Sequence, residues 1–244
     1  MQIEIGAPTY ARAAAGLAAL LWAVGCMTQP RVGMEAPGRP AVTWRNEDGR
    51  QAEEPQTRPD AERELLAELH AGERSGAHDL TFASTLYNLA ILRRQQGRLA
   101  EAEQLYRQAL EIREREESPN HPDVATTLNN LAGLEAAQGN YDAAQPLLER
   151  ALAIRQTALG SEHALTAQSL SNLALVYAAQ GRAADAEPLY RRALSILGTA
   201  DEPQQGDLER VLDNYAALLH ETGRDAEAEQ FEARARVMRA ATHR

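Results

Sequence analysis

The chain has 244 residues, enough for one or two domains, and 44% of them are hydrophobic, so it can bury a core. Only 5% are aromatic, which leaves alanine and leucine to supply the apolar surface and favours helices over sheets. The net charge of −10, with no basic stripe, excludes a nucleic-acid binder, and the single cysteine, Cys26, excludes a disulfide framework or a Cys-rich metal site within the chain.

Residues 13–24 (AAAGLAALLWAV) form an uncharged apolar run behind Arg12. The run has the length of a signal-peptide hydrophobic region and falls short of the roughly 20 residues that span a bilayer. The string Trp22-Ala23-Val24-Gly25-Cys26 closes it. That string resembles the lipobox of bacterial lipoproteins, with Ala23 where leucine is commonest. The resemblance implies a signal peptide over 1–25, acylation of Cys26 and a lipid anchor in a bacterial cell envelope. Met27 in place of Asp implies, by resemblance to the Gram-negative sorting rule, the outer membrane facing the periplasm. A plain secretory signal with an incidental cysteine, or a start later than Met1, are the alternatives. Residues 26–59 alternate Pro30, Pro37, Pro40, Pro55 and Pro59 with Gly33, Gly38 and Gly49 and show no helical or strand period. They read as a disordered tether in which Trp44 is incidental. Residues 60–77, containing the amphipathic AERELLAELHAG, read as an N-terminal capping helix.

From residue 78 to 244 one pattern repeats. Asn88-Leu89-Ala90 recurs at 130, 172 and, as Asn214-Tyr215-Ala216, at 214, each step being 42 residues. Gly97, Gly139, Gly181 and Gly223 keep the step, as do Ala102, Ala144, Ala186 and Ala228, and Ala109, Ala151, Ala193 and Ala235. Each unit predicts two helices, with units near 80–117, 122–159, 164–199 and 206–240. In the second unit Leu128, Leu131, Ala132 and Glu135 share one face at steps of three and four. Gly139 ends that helix, and Asp142 opens the next, which carries Ala144, Leu147, Leu148, Ala151, Leu152 and Ile154 on one side. Pro146 and Pro188 are expected in the first turn of their helices, where no N–H partner is lost, and Pro122 at a first helical position.

The spacing Leu-x2-Leu-Ala, then Gly, then Ala-x3-Tyr and Ala resembles the tetratricopeptide repeat. Leu86, Leu89, Ala90, Ala102, Tyr106 and Ala109 carry it in the first unit, and Leu170, Leu173, Ala174, Tyr177, Ala186, Tyr190 and Ala193 in the third. The usual unit is about 34 residues. The longer form, with NNLA, EAEPLYRRAL and the link LGSEHALTA, is similar to the kinesin light chain subtype. The resemblance implies an all-α fold: a right-handed α-solenoid of antiparallel helix pairs, about four units plus the capping helix. Glu232 and Arg236 depart from it, standing where other units have Tyr106 and Tyr190, or Leu110, Leu152 and Leu194. A terminal unit needs such polar residues because no neighbour covers it.

With Leu86 and Leu89 turned to the core, helix geometry points Ser84, Tyr87, Asn88, Ile91, Arg94 and Gln95 toward a groove lined by the first helices. The matching sets are Thr126, Asn129, Asn130 and Gly133; Gln168, Ser171, Asn172 and Leu175; and Arg210, Asp213, Asn214 and Ala217. Small residues Gly133, Ala136, Ala137, Ala178 and Ala179 give a shallow floor. The resemblance implies that the groove takes a peptide segment and that the asparagines hold its backbone. The residues equally allow each asparagine to bond the adjacent repeat. His78, His121 and His163 fall at separate links and read as caps and turn contacts, not metal ligands. No cofactor motif or catalytic constellation is present; Ser171 lies in a helix with no partner base near it in sequence. The expectation is a non-enzymatic scaffold that binds a protein or peptide, in an envelope assembly or, alternatively, as a soluble or secreted adaptor for one partner enzyme.

Overall fold

A computed structural model describes residues 58–76, 78–199 and 205–242. The expected signal peptide, Cys26 and nearly all of the expected tether lie outside them. Nine helices are present among the described residues and no strand: α1 Arg58–Ser75, α2 Leu80–Gln95, α3 Leu99–Glu116, α4 Pro122–Ala137, α5 Tyr141–Leu159, α6 Ala164–Ala179, α7 Ala183–Thr199, α8 Gln205–Glu221 and α9 Asp225–Thr242. Four pairs, α2–α3 to α8–α9, stack in order, each second helix packing on the next first helix. The antiparallel solenoid expected from the 42-residue step is the observed fold.

The turns inside the pairs explain the glycine step. Gly97, Gly139, Gly181 and Gly223 have φ between 74° and 81°, a left-handed conformation that costs other L-residues about 1–2 kcal/mol. Beyond each glycine the next N–H bonds back five residues: Arg98 to Arg93, Asn140 to Glu135, Arg182 to Tyr177 and Arg224 to Leu219. This closes the first helix and reverses the chain.

Links between pairs are capped by side chains. Asp79 accepts from Phe82 N–H at 3.0 Å. His121 and His163 accept through Nδ1 from Asp123 N–H (3.3 Å) and Leu165 N–H (3.1 Å), so these two histidines are N-caps. His78 is not a cap; its ring meets Phe82 edge-on at 5.0 Å. Pro122 occupies the first helical turn as expected. Pro146 and Pro188 do not: α5 starts at Tyr141 and α7 at Ala183, so each proline is the sixth helical residue. These helices begin within two residues of the turn glycine, sooner than the sequence suggested. Each ring therefore takes one N–H from the helical ladder, close enough to the helix end for the chain to adjust.

The core is a line of small clusters along the solenoid. Ala90, Ala102, Tyr106, Leu131 and Leu134 join the first and second pairs, and Tyr190, Leu212, Tyr215 and Ala216 help join the third and fourth. Alanines 102, 109, 144, 151, 186, 193, 228 and 235 are fully buried, which sets the close approach of the helices. Helix α1 caps the first pair: Leu69 packs on the Phe82 cluster, and a Cβ on Gly72 would run into the Phe82 ring. At the other end Arg236 and Val237 are exposed on the last helix.

Candidate functional site

The first helices of the pairs, α2, α4, α6 and α8, share one face of the stack, along which α4 meets α6 and α6 meets α8. At its first end it is open: Ser84 and Asn88 are exposed, and Tyr87, Ile91 and Arg94 are half-buried. Toward the middle it closes. Asn129, Asn130, Gln168, Ser171 and Leu175 are buried, whereas Thr126, Gly133 and Asn172 are half-buried. In the last pair Arg210 and Asp213 are half-buried and Asn214 is buried.

Two rungs of the asparagine row bond across repeat junctions. Asn130 donates through Nδ2 to the Tyr87 hydroxyl at 2.6 Å and to the Thr126 carbonyl at 3.3 Å. Asn172 accepts through Oδ1 from Arg210 Nη1 at 3.1 Å, while Arg210 also pairs with Asp207. Asn214 differs: its Nδ2 is buried and makes no hydrogen bond. One register position earlier, the Ser171 hydroxyl is also buried and makes none. In the first junction the corresponding residues are Tyr87 and Asn130, which bond each other. A serine is too short to reach where a tyrosine hydroxyl reaches, so the last junction lacks that bond.

Beneath the face lies a feature that the pattern reading missed. Arg155 is fully buried and Arg113 nearly so, 42 residues apart on α5 and α3. Arg113 Nη1 donates to the Asp123 carbonyl (3.0 Å) and the Thr127 hydroxyl (2.8 Å). Arg155 Nη1 donates to the Leu165 carbonyl (2.9 Å), Gln168 Oε1 (2.9 Å) and the Ser169 hydroxyl (3.1 Å), and Nη2 to the Thr126 hydroxyl (3.3 Å). Asn129, with its amide oxygen turned to the guanidinium, accepts from Nη1 at 2.6 Å. Each arginine thus reaches from a second helix into the first turn and a half of the next first helix. Asn129 and Gln168, expected to face the groove, belong to this junction because a buried guanidinium needs acceptors around it. The signal was available: Ile112-Arg113 and Ile154-Arg155 share the 42-residue step.

Other side chains tie successive pairs. Glu135 accepts from Arg107 (3.3 Å) and Asn140 (3.0 Å). The Tyr177 hydroxyl donates to Glu149 (3.0 Å), and the Arg182 guanidinium lies 4.1 Å over its ring. Glu187 accepts from the Tyr215 hydroxyl (3.0 Å), Arg224 (2.8 Å) and Arg191 (2.7 Å). Arg224 above all, with Tyr215 and Arg191, holds its carboxyl below the usual range. Burial of Tyr190, which lies wholly inside the core, pushes its phenol far up.

The three link histidines stay at separate links. His121 does meet two carboxylates, Glu117 at 2.9 Å and Asp123 at 3.9 Å. The corresponding positions of the next link are Leu159, His163 and Leu165, so that grouping is not a feature of the repeat. No described helix is long and apolar enough to cross a membrane.

This geometry agrees with a family match. The tetratricopeptide-repeat model fits residues 81–157 and again 123–199, each match covering two successive helix pairs. Residues 81–199 belong to the tetratricopeptide-repeat family. Among solved structures the chain is similar to BtubC (BKLC) from P. vanneervenii, with 26% identity, a TM-score of 0.68 and coverage of 76% of this chain and 74% of that one. It is also similar to a structure from Podosopora anserina named for a kinesin light chain with nearly identical TPR-like repeats, at 23% identity, TM-score 0.62 and coverage of 78% and 90%. Aspartyl phosphate phosphatase F from Bacillus subtilis matches at 15% identity and TM-score 0.60 over 67% of this chain and 42% of that one. The last two likenesses are of fold alone. No curated protein matches significantly by sequence.

Proposed function

We propose that the chain is a scaffold whose concave face, built from α2, α4, α6 and α8, holds an extended segment of a partner protein. The tetratricopeptide fold supports a protein–protein interaction scaffold, and such proteins are generally adaptors without catalysis. The observation that carries the finer reading is the row Asn88, Asn130, Asn172 and Asn214 beside Ile91, Gly133, Leu175 and Ala217. An amide both donates and accepts, so the row suits a peptide backbone, while the neighbouring apolar row suits its side chains. Asn130 and Asn172 already serve the junctions. Asn88, exposed at the open end, is therefore the rung assigned to the ligand, whereas Asn214 is buried.

A photo-crosslinking residue at Asn88 or Gly133 tests this in cells, with the exposed Glu111 on α3 as control. One partner band is expected from the groove positions and none from Glu111. Equal labelling from all three sites refutes the groove as the docking surface.

For location, the proposal is a cell-envelope lipoprotein, outer-membrane in a Gram-negative cell, acylated on Cys26. Support comes from the apolar run 13–24 directly before the chain's single cysteine. More than one acyl chain, at about 0.8 kcal/mol per buried CH2, would anchor it durably. Labelled palmitate should enter the wild type and not Cys26→Ala; no label in the wild type overturns the anchor.

A further inference from the structure

We propose that His220 is a proton-dependent latch closing the last helix pair of the solenoid. The inference is independent of what the groove binds and starts from register. Ala136 and Ala178 occupy this position in the second and third units, and Leu148 and Tyr190 stand where the last unit has Glu232. In the third unit these are core residues: Ala178 and Tyr190 are buried, with α8 packed behind them. Among the described residues nothing follows α9, and the same two positions in the last unit carry a half-open His–Glu pair, with side chains 41% and 39% exposed.

His220 lies in the last turn of α8, and both ring nitrogens face carboxylates of α9. Nδ1 lies 2.7 Å from Asp225 Oδ1 and Nε2 lies 3.1 Å from Glu232 Oε1. Ionised carboxylates only accept. A neutral imidazole has one N–H and can satisfy one of them, which sets its lone pair against the other. The imidazolium donates to both. Helix ends favour the same state, a cation at the last turn of α8 and an anion in the first turn of α9. The charges around the ring are few. Glu221 follows it on α8 and Asp225 and Glu232 face it from α9, with Arg236 3.9 Å behind Glu232. No charged group of α6 or α7 pairs with the ring among the described residues.

Asp225 first, then Glu232, hold the imidazole above its ordinary value of 6.5. A raised histidine contributes fully below that ordinary value, and the contribution is lost as pH rises through the raised one. The latch is therefore shut in mildly acidic solution and opens as pH rises through the raised value, above 6.5. Arg239, bonded to Asp213 at 2.8 Å, ties α9 to α8 at all these pH values, so opening loosens the pair without detaching it.

The test uses the full chain. The His220 ring is titrated by NMR, assigned with His220→Gln, and amide exchange corrected for intrinsic rate is followed from about pH 6 to pH 9. A midpoint above 6.5 is expected, falling in both Asp225→Asn and Glu232→Gln. Protection of α9 should drop roughly two- to fivefold through the midpoint, the range of an exposed ion pair, while α4 and α5 stay level. His220→Arg keeps its charge and should keep α9 protected at pH 9. A midpoint at or below 6.5, a midpoint indifferent to both carboxamides, or α9 protection no more pH-dependent than that of α5 overturns the latch.

Discussion

Replacing Arg155 by methionine should split the solenoid at its middle. The guanidinium is fully buried and its donors serve the Leu165 carbonyl, Gln168, Ser169 and Thr126, all on the helices it joins. Methionine keeps most of the volume but removes every donor. Each acceptor left dry costs about 1–3 kcal/mol, partly relieved by Gln168 and Ser169 finding each other. A net loss of about 2–4 kcal/mol follows, concentrated at the α5–α6 junction. Alanine adds a cavity and should cost about 2 kcal/mol more. Solenoid stability is close to a sum of unit and nearest-neighbour terms, so weakening one junction uncouples its two sides. Urea unfolding followed by circular dichroism should then show a lower midpoint and a shallower, broader transition. Amide exchange should show the last two pairs opening separately from the first two. The opposite result is attainable, because exchanging a buried ionic group for a well-packed apolar one is sometimes neutral or stabilising. If Arg155→Met unfolds at the wild-type midpoint with unchanged steepness, the guanidinium does not hold the junction and the reasoning fails.

Two further outcomes follow from local geometry. Gly139→Ala should lower stability by about 1–2 kcal/mol through backbone strain alone, since its φ is 81° and nothing lies within 4 Å of an added Cβ. Thermal unfolding of Gly139→Ala beside Gly206→Ala, an open position without positive φ, checks this, and equal losses would rule it out. Glu187→Gln should cost about 1–2 kcal/mol near neutral pH, where the carboxylate binds Arg224, Tyr215 and Arg191. A depressed carboxyl stabilises above its ordinary value of 4.5 and loses that contribution as pH falls through the depressed one. The gap between wild type and variant should be full at about pH 6 and narrow below pH 4.5; a gap constant with pH assigns the effect to packing.

Most of the architecture was legible before any coordinates. A step of 42 residues kept by asparagine, glycine and alanine at once defines the unit, because only a repeated backbone conformation and a repeated close contact need the same small residue at the same place. The positive φ of the turn glycines and the complete burial of Ala102, Ala144, Ala186 and Ala228 are that requirement realised. Pro146 falls at the sixth helical residue and not in the first turn because α5 starts without a capping side chain to mark it: Asn140 makes no side-chain cap bond.

The groove was only half legible. Periodicity says which residues share a face of one helix, and it placed Ser84 and Asn88 on the open side. It is silent on how tightly the next pair closes over that face. Tertiary stacking decided that Asn129 and Gln168 surround Arg155, that Asn130 and Asn172 are bonded across junctions, and that the Asn214 Nδ2 and the Ser171 hydroxyl are buried without a hydrogen bond. Sequence alone determined the unit, its turns and its alanine seams, because each needs the same small residue at the same place in every repeat. Which polar groups are consumed inside and which face a ligand depends on side chains about 13 to 43 positions apart meeting in space, and only the packed solenoid brings them together.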